Sequence, residues 1–204
     1  MDGSMISDRG ERRLAILAAA QEVFAEYGFH KAKVETIAER ASIAKGTVYL
    51  YFSSKKDLLR ALVEERMERL SQLVEMQTSE KRDLMTTIKG LIKAHFLFYL
   101  EEREFIAILY GQLGQIAEGM EEPAKRASER MTGLISELLE PGIEQGLLRA
   151  MSSRRLAQVL QGMIHAMAFD WAVRGGDESP EELSQQVYQL FCCGALIPAA
   201  LSKE

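Results

Sequence analysis

The sequence has few residues that interrupt helices or crosslink a chain. Four prolines occur in 204 residues, and the first is Pro123, so long helices are permitted over the 122 residues before it. Two cysteines, Cys192 and Cys193, are adjacent. On a helix their side chains point about 100° apart, which suits neither an ordinary disulfide nor a metal site. We interpret both as thiols of a hydrophobic core.

Long apolar runs and catalytic motifs are also missing. No stretch reaches the roughly 18 uninterrupted apolar residues of a membrane span, and the first residues lack the apolar core of a signal peptide. We therefore expect a cytoplasmic protein without a membrane partner. Paired carboxylates, a nucleophile elbow and a glycine-rich phosphate loop are absent, and His30, His95 and His165 are too scattered for an obvious metal site. We expect no enzyme, no metal and no cofactor.

A net charge of −5 argues at first against a nucleic-acid binder. Its distribution changes that interpretation. Residues 1–60 contain ten Lys and Arg against eight Asp and Glu, a local balance of +2, so the other 144 residues carry −7. Since salt screens charges beyond about 10 Å, a small basic region on an acidic chain can still bind phosphates.

Helical periodicity dominates the sequence, and no segment has the pattern of a strand. From Arg9 to Tyr27, apolar residues recur at three- and four-residue steps, as on one face of an amphipathic helix. Gly28 is predicted to end that helix, since glycine takes left-handed conformations at little cost, and residues 29–33 are predicted to form a connector. The residues of the apolar face are Leu14, Leu17, Ala20, Phe24 and Tyr27.

Two short helices with helix-turn-helix spacing follow. They are predicted at Val34–Ala41 and Lys45–Tyr51, separated by residues 42–44. The pattern leaves Lys45, Gly46, Thr47, Tyr49 and Tyr51 on the outer side of the pair. The side chains predicted to face inward are Ile37, Ala38, Ala41, Ile43, Val48 and Phe52.

A long helix is predicted to begin at Ser54, where Asp57 three residues later completes a capping-box-like start, and to continue past Leu73. Turn residues then divide the rest of the chain into further helices. We predict these helices at approximately 82–100, 103–117, 122–146, 153–174 and 180–201.

The region around the two short helices resembles the TetR family of transcriptional regulators. The match covers about residues 14–60, with several positions in register. It rests on Phe24-Ala25-Glu26-Tyr27-Gly28-Phe29, on Ile37-Ala38, and on ASIAKGTVYLYFSSKKDLL at residues 41–59.

The resemblance implies an all-α protein with a three-helix DNA-binding head, residues 1–54, and a larger helical body for effector binding and dimerisation, residues 55–204. It implies a homodimeric repressor that binds a near-palindromic double-stranded operator and is released by a small apolar or amphipathic effector. Hydroxyls and lysines position such a module on phosphates, while glycine and threonine permit close contact with bases. The implied DNA-binding residues are Lys33, Thr36, Lys45, Gly46, Thr47, Tyr49, Tyr51 and Lys55.

Three positions depart from the family pattern. Ser42 replaces the usual turn glycine, Ala44 the serine before the recognition helix, and Lys33 the threonine that often opens the preceding helix. We expect each lost cap oxygen to weaken a helix start by roughly 1 kcal/mol. Lys33 offers a phosphate contact in compensation.

The last two helices carry broad apolar faces, which the resemblance implies form a four-helix interface with a second copy of the chain. The alternative is an ordinary intramolecular core. The residues concerned are Leu156, Val159, Leu160, Met163, Met167, Trp171, Leu183, Val187, Leu190, Phe191, Gly194 and Ile197, with small residues at Gly162 and Ala195.

Large flexible and aromatic side chains in the middle helices suit an apolar effector, although such stripes also occur as plain core. The stretch Pro141 to Gly146 and the helix after it look similar to TetR-type regulators of fatty-acid degradation, whose ligands are long-chain acyl-CoA molecules. The candidate effector-binding residues are Phe96, Tyr99, Ile106, Tyr110, Leu113, Met131, Leu134, Met167 and Trp171.

Two other functions fit the same sequence. One is an activator, because the same dimer acts in either direction depending on where its operator lies. The other is a helical ligand-binding or interaction protein that has lost operator recognition, which the intact Lys45 to Lys55 face argues against.

Overall fold

The structure is a computed structural model that describes residues 3–78, 83–106, 121–171 and 177–195. Helices joined by short connections make up these ranges, and none of the ranges contains a β-strand, which confirms the all-α prediction. The helices are α1 (Gly3–Lys31), α2 (Val34–Arg40), α3 (Lys45–Tyr51), α4 (Lys55–Thr78), α5 (Leu84–Glu101), α6 (Glu121–Glu144), α7 (Ser153–Phe169) and α8 (Pro180–Ala195).

The chain divides into two compact units. The first contains residues 1–66 and 104–124, and the second contains residues 67–103 and 125–204. The division therefore falls inside α4. The boundary between residues 54 and 55 that the sequence suggested stays a prediction about function.

Gly28 interrupts α1 as expected. Its φ of 74° and ψ of 156° lie in a region that is essentially restricted to glycine. The first helical segment ends at this break as predicted, but a second short helical segment follows it to Lys31, where a connector was expected. The predicted apolar face was partly wrong: Leu14 and Tyr27 are 51% and 45% exposed. Leu17, Ala20 and Phe24 are buried as predicted, and the buried face extends to Ile16, Ala19 and Val23, which the prediction left out.

The two short helices form the expected pair, since α2 packs against both α1 and α3. Ile37, Ala38, Val48 and Phe52 are buried there. Ala41 and Ile43 are only half-buried, contrary to the prediction. Both follow the end of α2, where the chain leaves the regular helical surface.

In the second unit, α5 packs against α7 and α8, which also contact each other. Asp83 caps α5 by accepting a hydrogen bond from the Thr86 amide at 3.0 Å. Gly142, in the last turn of α6, is closely covered: a Cβ there would lie 2.6 Å from Leu84 Cδ2. Within the described ranges, no helix is both long and apolar enough to span a membrane.

The two cysteines have different environments, which corrects the interpretation that both are core thiols. Cys192 is buried and Cys193 is exposed, and neither forms a disulfide. Neighbouring residues on a helix point about 100° apart, so a helix with one buried face cannot bury both.

Candidate DNA-binding surface and effector-binding residues

Helix α3 is anchored on one side and open on the other. Val48 and, just past the helix end, Phe52 are almost fully buried. Lys45, Gly46 and Tyr49 are exposed, and Thr47 is half-buried. A Cβ added at Gly46 would meet no protein atom within 4 Å, so packing within the chain does not require glycine at this position.

Leu50 is an outward-facing residue of α3 that the sequence interpretation left out. It is 77% exposed, an unusual position for a leucine in a short helix whose other side is anchored. An apolar side chain of this kind suits contact with a thymine methyl group. Its place beside Tyr49 was the signal that could have identified it.

The three departures from the family pattern lie at or just before the starts of α2 and α3. Lys33 and Ala44 occupy the N-cap positions, and neither provides a side-chain cap hydrogen bond. Ser42 has a φ of 56°, the left-handed conformation for which the usual glycine is favoured. Lys33 is exposed and Thr36 half-buried in the same region.

Lys55 has a structural role that its sequence position did not reveal. Its ammonium donates to the carbonyl oxygens of His30 at 3.0 Å and Ala32 at 2.9 Å, and lies 4.8 Å from the centre of the Phe29 ring. Partial burial lowers the pKa of Lys55. The side chain thus ties the start of α4 to the end of α1.

The start of α4 is a capping box shifted by one residue. The Asp57 amide donates to Ser54 Oγ at 3.0 Å, as predicted. The Asp57 carboxylate reaches back one residue further than expected and accepts from the Ser53 amide at 2.9 Å. That backbone hydrogen bond is the main reason why the pKa of Asp57 is lowered.

Two arginines of α1 join the same surface. The Arg9 guanidinium lies 5.9 Å from the centre of the Tyr51 ring, and that of Arg13 lies 5.5 Å from the Phe52 ring. The sequence predicted that Tyr51 lies on the outer side of the helix pair, but its side chain is half-buried. The basic cluster at residues 9–13 could have indicated these arginines, but the sequence interpretation used it only in the net charge of residues 1–60.

The candidate effector residues are mainly interior side chains. Tyr110 and Leu113 lie outside the described residues. Ile106 is buried in the first unit, whereas the other described candidates belong to the second. In that second unit Phe96, Tyr99, Met131 and Trp171 are buried, while Leu134 and Met167 are half-buried.

A polar cluster in the second unit combines two buried side chains, His95 and Tyr99, with the exposed side chain of His165. The Tyr99 hydroxyl and His165 Nδ1 are 2.8 Å apart, which joins α5 to α7. His95 Nδ1 lies 2.8 Å from the Leu91 carbonyl oxygen and must donate to it, because a carbonyl only accepts. Burial lowers the pKa of His95 to about 4, so this ring is neutral at pH 7, and partial desolvation also lowers the pKa of His165.

Two of the candidate effector residues, Trp171 and Leu134, lie beside polar or charged groups. Trp171 Nε1 donates to the Glu178 carbonyl oxygen at 2.9 Å, and the Arg103 guanidinium lies 5.3 Å from its ring. Leu134 lines a groove of about 200 Å³ together with Ser71, Glu75, Arg130, Gly133 and Glu137. Among the residues that the structure describes, no cluster of His, Cys, Asp or Glu is suited to a metal ion.

The predicted dimer face is divided between core and surface. Val159 is 47% exposed and Leu190 is 61% exposed, and Gly162 and Gly194 are exposed beside them in sequence. Met163 is half-buried, and Ile197 lies outside the described residues. The residues that instead form intramolecular core are Leu156, Leu160, Trp171, Leu183, Val187 and Phe191.

Comparison with family models gives two matches. Residues 16–62 match the N-terminal model of "Bacterial regulatory proteins, tetR family". Residues 81–195 match the model "Tetracyclin repressor-like, C-terminal domain", which covers more than half of the chain.

Individual relatives extend over most of the chain. A fatty acid metabolism regulator protein of Bacillus subtilis is 28% identical over 182 residues, which cover 89% of this chain and 94% of that protein. The structure of the fatty acid degradation regulator FadR from Bacillus halodurans is 28% identical, with a TM-score of 0.79 over 89% of this chain and 94% of the other. FadR from Bacillus subtilis in complex with stearoyl-CoA is 26% identical, with a TM-score of 0.80 over 89% and 98%.

Proposed function

This chain belongs to the tetR family of bacterial regulatory proteins, and from that premise we propose that it is a dimeric repressor whose α3 binds an operator and which a fatty acyl-CoA releases. Proteins of this family regulate transcription and are not enzymes. The observation that carries the proposal is the α3 surface, where Lys45, Gly46 and Tyr49 face outward from a buried anchor.

Gly46 is exposed on that surface, where the lack of a side chain permits close approach of another molecule to the helix backbone. Lys45 and Tyr49 flank it with an ammonium and a phenol, groups that bind phosphates and base edges. Thr36, Thr47, Tyr51, Lys33 and Lys55 complete the proposed contact set.

The test of DNA binding is selection of bound fragments from genomic DNA, followed by titration of the strongest fragment. Tyr49→Ala is expected to weaken binding, with Tyr27→Ala as the matched control, since the two rings are 46% and 45% exposed. Equal affinities for the two variants would remove α3 from the proposed interface. Recovery of no fragment by the unaltered protein would contradict operator binding itself.

Dimerisation is proposed through the exposed faces of α7 and α8. Val159 and Leu190 support it, because large apolar side chains exposed beside small residues favour close helix packing. Two recognition helices would then meet successive major grooves about 34–36 Å apart. In sedimentation, Leu190→Arg is expected to yield monomers, whereas Leu100→Arg on α5, where the leucine is 45% exposed, leaves the dimer intact. Monomers of the unaltered protein at micromolar concentration would contradict the proposal.

A fatty acyl-CoA is the proposed effector. The relatives named for fatty-acid regulation support this class, and FadR of Bacillus subtilis has been determined with stearoyl-CoA. Phe96, Met131 and Met167 offer apolar contacts for an acyl chain, and the Tyr99–His165 pair offers polar groups for its thioester end. Calorimetric titration with acyl-CoA molecules of graded chain length tests the class, with unrelated apolar drugs as the comparison. Equal binding of the drugs would contradict it.

Activation of transcription is the second candidate. A transcriptional activator FasR of Mycolicibacterium smegmatis is 28% identical over 138 residues, covering 67% of this chain and 63% of that protein. A reporter gene placed downstream of the recovered operator shows whether the protein represses or activates transcription. Repression predicts higher reporter output when the gene for this chain is deleted, and activation predicts lower output.

A further inference from the structure

We propose that Glu35 sets how well this protein distinguishes its operator from other DNA, by holding Lys45 in an ion pair that sequence-independent phosphate contacts must break. The inference rests on the proposed function, because it assumes that α3 meets DNA. It adds an acidic residue of α2 to a proposed surface made otherwise of basic, hydroxyl and glycine residues.

The ion pair joins the two helices of the helix-turn-helix. Glu35 lies in the first turn of α2, and Lys45 is the first residue of α3. Lys45 Nζ donates to Glu35 Oε1, and the same ammonium lies 5.9 Å from the centre of the Tyr49 ring. The hydrogen bond between them lowers the pKa of Glu35 and raises the pKa of Lys45, so both are charged at pH 7.

This pair is suited to binding control rather than to stability. Its side chains are 51% and 50% exposed, and exposed ion pairs contribute little to folding because water screens them. It nevertheless neutralises a cation at the N-terminus of α3. A phosphate that binds Lys45 has to replace the carboxylate, which reduces the counterion release that drives sequence-independent binding.

The same ion pair weakens binding to the operator less than it weakens binding to random DNA. A contact with a base edge depends on direction as well as charge. Lys45, held between Glu35 and Tyr49, has less rotamer freedom to lose when it makes such a contact. Glu35 therefore disfavours random DNA more than the operator.

The chain offers a matched control in Glu39, which is exposed on the same helix and has no ion pair among the described residues. Glu35→Gln and Glu39→Gln remove the same charge from α2. Each variant is titrated against a pool of random duplexes of about 30 base pairs, long enough for two half-sites, and against the strongest genomic fragment. Salt is varied between about 50 and 200 mM to measure the slope of log affinity against log salt.

Glu35→Gln is expected to raise affinity for the random pool roughly three- to tenfold, since a dimer carries two such pairs, and affinity for the selected fragment less than about twofold. Its salt slope on random DNA should become steeper by about one per protomer. Glu39→Gln should shift both affinities by one common factor. Glu35→Asp, which retains the charge, should restore most of the discrimination.

A double-mutant cycle with Lys45→Gln decides the mechanism. In that background Glu35→Gln should no longer change discrimination, because the cation that it released is gone. If Glu35→Gln and Glu39→Gln alter both DNAs equally, Glu35 acts only through its long-range charge and the inference is wrong, while the proposed function stands. If the unaltered protein binds neither DNA, the proposed function fails.

Discussion

Replacing Lys55 by Met should destabilise the DNA-binding unit, although the side chain is at its surface. Methionine retains the length of the stem but removes the ammonium. Two carbonyl oxygens, those of His30 and Ala32, would lose a charged donor at 3.0 and 2.9 Å, and the Phe29 ring would lose a cation at 4.8 Å. Hydrogen bonds to charged groups contribute about 1.5–3 kcal/mol when buried, so this half-exposed group should contribute about 1–3 kcal/mol in total.

The neighbouring residue provides the control for this change. Lys56 is exposed in the same first turn of α4, and Lys56→Met should change the free energy of unfolding by no more than about 0.5 kcal/mol. Urea unfolding of both variants, followed by circular dichroism, measures the difference. Equal stabilities would show that the Lys55 contacts contribute nothing.

Three further changes have outcomes that the structure specifies. The pKa of His95 is lowered to about 4 in the folded protein, whereas in the unfolded chain it is about 6.5. As the pH drops from about 6.5 to 4, His95 takes up a proton in the unfolded chain but not in the folded protein, so the free energy of unfolding should fall by about 3 kcal/mol. A His95→Gln variant whose pH profile matches the original would contradict this. In thermal unfolding, Gly142→Ala should be less favourable than Gly133→Ala on the same helix by about 1 kcal/mol, because a Cβ at Gly142 displaces methyl groups of Leu84 and Leu148 whereas one at Gly133 meets nothing within 4 Å; equal effects would refute the close packing. Tyr99→Phe should weaken acyl-CoA binding without changing DNA affinity in the absence of ligand, and unchanged acyl-CoA binding would exclude the Tyr99 hydroxyl from the effector site.

Local pattern was sufficient for the helices of the described ranges but not for every side chain on them, and residues 107–117, 172–174 and 196–201 of the predicted helices lie outside those ranges. Glycine and cap residues predicted the break at Gly28 and the start of α4, because their effects act within one turn. The face of α1 was harder to assign, since Leu14 and Tyr27 fit the same helical period as the buried residues yet lie at its edge. Periodicity gives a direction, while the width of the buried face depends on what packs against it.

Contacts between distant segments could not be predicted from the sequence. Lys55 was assigned to phosphate contact because its position resembles a family motif, yet its ammonium also binds carbonyls 23 and 25 residues earlier. The Glu35–Lys45 and Tyr99–His165 pairs likewise depend on how helices pack. Leu50 was overlooked because of its residue type, since a leucine in a helix is usually assigned to the core.

The proposed function requires operator DNA and an acyl-CoA to bind this protein at each other's expense. The direct measurement is the affinity of the selected operator fragment in the presence of stearoyl-CoA, paired with the affinity of stearoyl-CoA in the presence of that fragment. A coupling of about 1–3 kcal/mol predicts that each ligand weakens the other by about 5- to 150-fold, and by the same factor in both directions. Operator affinity that is unchanged while stearoyl-CoA is bound would contradict the account.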